Sequence, residues 1–117
     1  MVTGAMTTTS DTMDEATFHT LSDAAIEQVR KGLDVLDPDL CEAVMEAGVL
    51  KITFPSGAPY VLNTQRPIRE LWLAADRHAW HFRYDGALWI DKKGGTDELF
   101  ATLAKLVKQR ANVDVRW

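Results

Sequence analysis

The sequence has a single cysteine, Cys41, so it can form no internal disulfide bond and cannot build a thiolate metal site from its own side chains. This excludes a zinc finger and a cysteine-held cluster, and it is typical of a protein from a reducing compartment. Cys41 has no neighbouring base in the sequence, and buried cysteines are mostly inert packing groups. We therefore expect Cys41 to be structural.

The sequence also lacks a membrane span and the common catalytic motifs. No apolar run approaches the roughly 20 residues needed to cross a bilayer, and residues 1–11 have neither the basic start nor the apolar block of a secretory signal. No phosphate-binding glycine loop, dinucleotide fingerprint or Glu-x-x-His pair occurs. We therefore expect a soluble, cytoplasmic protein that does not contact membranes and is not an enzyme.

The length of 117 residues leaves room for one domain with a modest core. Residues 1–12 are rich in threonine and small side chains and are predicted to be disordered, with Met6 and Met13 as alternative translation starts. The single folded domain is predicted over residues 13–117.

Charge is divided unevenly along the chain, whose formal net charge is -4. Residues 1–50 carry ten acids and two bases, which gives -8, whereas residues 51–117 carry seven acids and eleven bases, which gives +4. No lysine or arginine occurs among the five acids Asp34, Asp37, Asp39, Glu42 and Glu46. Such a patch attracts cations and repels phosphates, so we expect no nucleic-acid partner.

Hydrophobic periodicity predicts a helix at each end of the domain. Apolar residues recur at three- and four-residue steps from about Asp14 to Leu36, and Asp37-Pro38 ends this helix because the residue before proline leaves helical geometry. Thr96 can cap a second helix. The buried stripe of that second helix is predicted to comprise Leu99, Phe100, Leu103, Leu106 and Val107.

Between the helices lie short segments separated by turn residues, which predicts an antiparallel meander. The predicted strands are Cys41–Ala47, Val49–Phe54, Tyr60–Asn63, Ile68–Ala75, Trp80–Tyr84 and Leu88–Asp91. A contiguous sheet flanked by two terminal helices implies an α+β fold, a two-layer sandwich with both helices on one face of the sheet and the other face open to water.

Strand alternation places one large aromatic residue on the open face. A period of two after Pro67 sends Leu71 and Leu73 to one side and Trp72 to the other. A large ring on the wet face of a small protein usually marks a contact surface. From composition alone, an interface and a partly covered structural tryptophan are equally good interpretations.

The segments Gly48-Val49-Leu50-Lys51-Ile52-Thr53-Phe54 and Tyr60-Val61-Leu62-Asn63, and above all the Asn-x-Gln-x-Pro spacing followed by Trp-Leu-Ala, resemble the frataxin family, most closely its bacterial CyaY branch. The resemblance runs from about Phe18 to the C-terminus. It implies the same two-layer sandwich.

Carboxylates on the first helix and the connection after it are the candidate metal ligands. His19, Asp23 and Glu27 are spaced four apart on the polar side of the helix. Asp34, Asp37, Asp39 and Glu42 follow. A solvated helix face is the alternative. The resemblance implies that this acidic ridge binds iron, and its spread over a surface predicts weak, exchangeable Fe(II) and Fe(III) binding.

The candidate partner surface comprises Asn63, Gln65, Trp72 and His81. The resemblance implies that the matching Asn, Gln and Trp face the iron-sulfur scaffold protein. Local strand termination is the alternative for Asn63. Arg66 and His78-Ala79 depart from the family pattern, so the complementary surface on the partner is expected to differ.

Together these features predict a non-enzymatic iron-binding protein that regulates iron-sulfur cluster assembly by docking on the cysteine desulfurase and scaffold complex. We expect a monomer, or an oligomer driven by iron. Two alternatives stay open: a ferroxidase or iron-storage oligomer, and an iron-independent acidic adaptor of the desulfurase.

Overall fold

The computed structural model describes residues 13–91 and 97–117. The first helix, α1, spans Glu15–Asp34. Asp14 caps it by accepting a hydrogen bond from the backbone amide of Thr17 at 2.7 Å. The helix stops before the predicted Leu36, with Val35 as its C-cap. Within the described residues, neither helix is long and apolar enough to cross a membrane.

The strands form one six-stranded antiparallel sheet in which sequence order equals spatial order. The strands are β1 Glu42–Glu46, β2 Val49–Thr53, β3 Tyr60–Gln65, β4 Glu70–Ala75, β5 His78–Tyr84 and β6 Trp89–Asp91. The predicted meander is thereby confirmed, because consecutive strands pair with each other in antiparallel register.

The second helix, α2, spans Leu99–Ala111. Its N-cap is Glu98, whose carboxylate accepts hydrogen bonds from the amides of Phe100 and Ala101 at 3.0 Å each. Thr96, the predicted cap, lies outside the described residues, as does the segment 1–12 that we predicted to be disordered.

Both helices cover one face of the sheet, which confirms the predicted α+β sandwich. Phe18 and Val29 of α1 and Leu103 of α2 are essentially fully buried. They belong to the same hydrophobic core as the inward-facing residues of the sheet. These inward residues include Leu50, Ile52, Tyr60, Leu62, Leu71, Leu73 and Phe82. Residues that alternate with them face away from the helices and form the open face.

Two connections differ from the sequence prediction. Arg66–Ile68 forms a short 3-10 turn, so β4 begins at Glu70 and not at Ile68. The turn between β4 and β5 is made by Asp76 and Arg77, whose φ angles are 50° and 69°. His78 and Ala79, which lie between the predicted strands Ile68–Ala75 and Trp80–Tyr84, therefore belong to β5. Neither glycine nor proline marks this turn, so its position was not visible in the sequence.

Candidate functional site

The first half of the acidic ridge is partly neutralised by its own neighbours. His19 Nε2 lies 3.1 Å from a carboxylate oxygen of Asp23, one helical turn away, and both side chains are about 60% exposed. Glu27 does not continue this row toward a shared ligand set, because it pairs with Arg30 through two contacts of 3.0 and 2.6 Å. The hydrogen bond from Arg30 lowers the pKa of the Glu27 carboxyl. Glu27 is therefore held as an anion by a guanidinium.

The second half of the ridge follows the chain from the end of α1 into β1. Asp34, Asp37, Asp39 and Glu42 are all exposed. One Asp37 oxygen accepts a hydrogen bond from the amide of Asp39 at 2.9 Å, which folds the connection. Among the described residues, no lysine or arginine forms an ion pair with these four carboxylates.

The ridge does not close into a coordination cage. Within residues 13–91 and 97–117, no three His, Cys, Asp or Glu side chains lie close enough together to hold a metal ion. The seven predicted ligands, all within the described residues, thus do not converge on one point. This geometry suits loose attraction of cations better than a defined coordination shell.

A groove of about 450 Å³ runs beside α1, between the helix and the ends of β1 and β3. His19, Asp23 and Glu27 line it on the helix side, and Arg66 lies among its other lining residues. Arg66 is also 3.9 Å from Glu15 at the start of α1. The arginine therefore places positive charge next to the first part of the ridge, which disfavours a cation in the groove itself.

The open face of the sheet brings three predicted partner-binding residues into one row. Asn63 of β3 lies opposite Trp72 of β4, and Trp72 lies opposite His81 of β5. The rings of Trp72 and His81 are stacked, with centroids 4.2 Å apart and planes inclined by 10°. Gln65 belongs to the next row, opposite Glu70. The indole is partly covered, so it is neither free in water nor packed in the core.

Glu70 and Arg83, two residues that the sequence analysis did not single out, hold the indole of Trp72. The indole Nε1 donates to one oxygen of Glu70 at 2.8 Å, and Arg83 Nε donates to the other oxygen at 2.9 Å. Burial raises the pKa of the Glu70 carboxyl, but the two hydrogen bonds together with the nearby charge of Arg83 bring it below its ordinary value. The carboxylate therefore stays ionised between an indole and a guanidinium.

Comparisons with known proteins agree with this architecture. The family model described as "Frataxin-like domain" matches residues 11–113. The chain belongs to the frataxin family. Among its relatives, the "Iron-sulfur cluster assembly protein CyaY" of Pseudomonas aeruginosa is 37% identical over 106 residues, covering 90% of this chain and 97% of that protein. The protein of the same name from Cupriavidus metallidurans is 34% identical over 105 residues, covering 86% and 93%.

A solved frataxin has the same fold. The frataxin from Psychromonas ingrahamii, studied "as a model to study stability modulation within CyaY protein family", superposes with a TM-score of 0.80 at 21% sequence identity. The match covers 88% of this chain and 96% of that one. The shared sandwich at this low identity shows that the layer arrangement tolerates extensive sequence change.

The one cysteine of this frataxin, Cys41, is free and buried. Cys41 is 1% exposed, and burial raises the pKa of its thiol to about 11. A thiol with that pKa is protonated at neutral pH, so it is a poor nucleophile and a poor metal ligand. The structure therefore agrees with the expectation that Cys41 is a packing residue.

Proposed function

We propose that this frataxin acts in iron-sulfur cluster assembly as a non-enzymatic, iron-responsive regulator. Two relatives that cover most of the chain are named iron-sulfur cluster assembly proteins, and these names are the basis for proposing that process. The observation that carries the iron part of the proposal is the run of exposed carboxylates from Asp34 to Glu42. Among the described residues, no base pairs with them.

The proposed iron interaction is weak and exchangeable. Carboxylate oxygens are suitable ligands for Fe(II) and Fe(III), but ligands spread along a surface leave most of the coordination shell to water. Such a surface releases its metal readily, so it suits sensing or delivery better than storage. His19 and Asp23 extend these carboxylates along α1, although their mutual contact of 3.1 Å occupies one ring nitrogen of His19 and one oxygen of Asp23.

The proposed partners are the cysteine desulfurase and the iron-sulfur scaffold protein. The acidic ridge suits a basic patch on the desulfurase, because complementary charge speeds and orients association. The row of Asn63, Trp72 and His81 suits the scaffold, because a partly exposed aromatic group flanked by polar side chains is typical of a protein contact. The protein then regulates the desulfurase by bridging both components.

Iron affinity is tested by removing charge from the ridge without changing its shape. In Asp34→Asn with Asp37→Asn, the amide oxygen at position 37 can still accept the hydrogen bond from the amide of Asp39. We expect weaker binding of ferrous iron in an anaerobic titration and a higher melting temperature, because fewer like charges repel each other. Asp114→Asn, on the C-terminal segment, is the matched control and should leave the affinity unchanged.

Unchanged ferrous affinity in the double variant would contradict an iron-binding ridge. An iron-independent acidic adaptor is the second candidate, favoured by the absence of a coordination cage among the described residues. A cluster-assembly assay with purified desulfurase and scaffold separates the two. If the protein is an iron-responsive regulator, its effect on the rate of cluster assembly should change with iron concentration. If it is an iron-independent adaptor, that effect should be the same at every iron concentration.

A further inference from the structure

We propose that Glu70 and Arg83 are positioning residues that preset the orientation of Trp72 for partner binding. This inference rests on the proposed scaffold contact at the open face. It concerns a step before that contact, namely the fixing of the indole in the free protein. Two neighbouring rows on the open face of the sheet provide the geometry, one with Glu70 opposite Arg83 and one with Trp72 opposite His81.

The first part of this arrangement is the Glu70 carboxylate, which accepts hydrogen bonds from two donors. Glu70 lies two residues before Trp72 on the same face of β4, so its carboxylate can accept the hydrogen bond from the indole N–H at 2.8 Å. Its second oxygen accepts from Arg83 Nε at 2.9 Å. The side chain of Glu70 is only 12% exposed, so water competes weakly for both hydrogen bonds.

The second part is the flat contact with His81. Its ring stacks on the indole at 4.2 Å and nearly parallel, while Asn63 occupies the facing position on the other neighbouring strand. Stacking by itself restricts the tilt of the indole but lets it slide and rotate in its plane. The hydrogen bond to Glu70 removes that remaining freedom, because it fixes the direction of the Nε1–H bond.

Arg83 acts through Glu70 and not on the indole directly. A glutamate side chain has several rotamers, and the ion pair with Arg83 selects the one that reaches Trp72. Arg83 lies directly opposite Glu70 on β5, so the pair also links the two strands that carry Trp72 and His81. A partner that binds this face therefore meets an ordered aromatic surface, and less conformational entropy is lost on binding.

A cross-strand ion pair could also serve stability alone, so the test needs a signal specific to the indole. In the free protein, ¹H–¹⁵N NMR resolves the indole N–H groups, and Trp72→Phe identifies the signal of Trp72. We expect Glu70→Ala to shift this signal and to accelerate its exchange with solvent. Glu70→Gln should preserve it in part, because an amide oxygen can still accept the hydrogen bond.

The arginine is tested in the same way. Arg83→Ala should increase the solvent exchange of the Trp72 N–H, and Arg83→Lys should restore part of the protection. Lys51→Ala is the matched control, because Lys51 also lies on the open face in an ion pair, at 3.1 Å from Glu46, but does not contact the indole. It should leave the signal of Trp72 unchanged. An unchanged Trp72 signal in Glu70→Ala would overturn the proposal.

Binding to the purified scaffold protein provides the second readout. Glu70→Ala and Arg83→Ala should weaken the affinity about 2- to 10-fold, the range expected when one side chain must be ordered on binding. The Lys51→Ala affinity should match that of the wild type. Altered NMR signals with wild-type affinity in both variants would overturn the positioning role. Wild-type affinity in Trp72→Ala would instead overturn the proposed scaffold contact itself, so the two failures are distinguishable.

Discussion

Arg110 is the residue whose loss should destabilise the fold most among the charged side chains near the surface. Its Nη2 donates to the carbonyl oxygens of Ser56 and Ala58 at 2.8 and 2.9 Å, and its Nη1 lies 3.1 Å from a carboxylate oxygen of Asp76. One side chain of α2 thereby ties down the β2–β3 loop and the β4–β5 turn. Its side chain is only 19% exposed.

The guanidinium also lies over two aromatic rings, with its central carbon 4.5 Å from the centre of Phe54 and 5.3 Å from that of Tyr60. It comes so close to Gly57 that a Cβ there would lie 2.2 Å from Nη2. Gly57 has a φ of 86°, so glycine is required at this position both by the backbone and by the arginine.

The cost of Arg110→Ala follows from these contacts. Each hydrogen bond to a loop carbonyl contributes about 1 kcal/mol net, and the half-exposed ion pair adds about 0.5 kcal/mol. The two ring contacts add about 1 kcal/mol. Allowing for the side-chain entropy that alanine does not lose, we expect a destabilisation of about 2 to 3 kcal/mol. For a domain of this size, that lowers the melting temperature by roughly 8 to 20 °C.

Thermal and urea unfolding of Arg110→Ala, Arg110→Lys and Lys105→Ala check this value. Lysine keeps the charge but loses the fork that reaches both carbonyls, so we expect about half of the loss. Lys105 lies on the exposed side of the same helix, and its alanine variant should stay within about 0.5 kcal/mol of the wild type. A loss below 1 kcal/mol in Arg110→Ala would refute the view that this arginine anchors the two connections.

Three further predictions concern stability. Trp117 donates from Nε1 to the carbonyl of Phe100 at 2.8 Å and packs on Gly32, where a Cβ would lie 2.4 Å from the indole. Trp117→Ala should therefore cost about 2 kcal/mol, and Gly32→Ala should also destabilise in urea unfolding although alanine is the better helix former. Burial raises the pKa of Glu70, but the hydrogen bonds from Trp72 and Arg83 and the charge of Arg83 together bring its folded-state pKa below the ordinary 4.5. The stability that Glu70 provides is complete above the unfolded-state pKa and is lost as the pH falls through the lower folded-state pKa. The free energy of unfolding of the wild type should therefore exceed that of Glu70→Gln by more at pH 7 than at pH 3. An equal difference at both pH values would contradict this.

Much of the fold could be predicted because the chain alternates regularly. Leu71 and Leu73 are buried and Trp72 is not, as the period of two required. The buried stripe of α2 also has the predicted members, with Phe100 only partly buried. Helix ends and turns were less accurate because they depend on single side chains. The cap at Glu98 and the turn at Asp76 illustrate this, since neither residue type is distinctive enough to locate a boundary.

For the candidate surfaces, the sequence indicated which residues share a face of the sheet but not which of them are in contact. Alternation placed Trp72 and His81 on one face, whereas their pairing required the register between β4 and β5. Glu70 and Arg83 lie two positions from Trp72 and His81 on the same face, so the signal was present in the spacing. It was not recognised because a glutamate and an arginine 13 residues apart in sequence do not by themselves indicate an ion pair.

The two proposed binding surfaces belong to different layers of the sandwich, and this separation limits how partners can bind. The helix part of the ridge lies on α1, which covers the inner face of the sheet, whereas Trp72 lies on the outer face. One flat partner surface cannot contact both. The connection through Asp37 and Asp39 leads from α1 to the edge strand β1, so it lies where the two layers meet. In the proposed function, a partner that docks on this connection and a partner that docks on the indole therefore approach the protein from different sides.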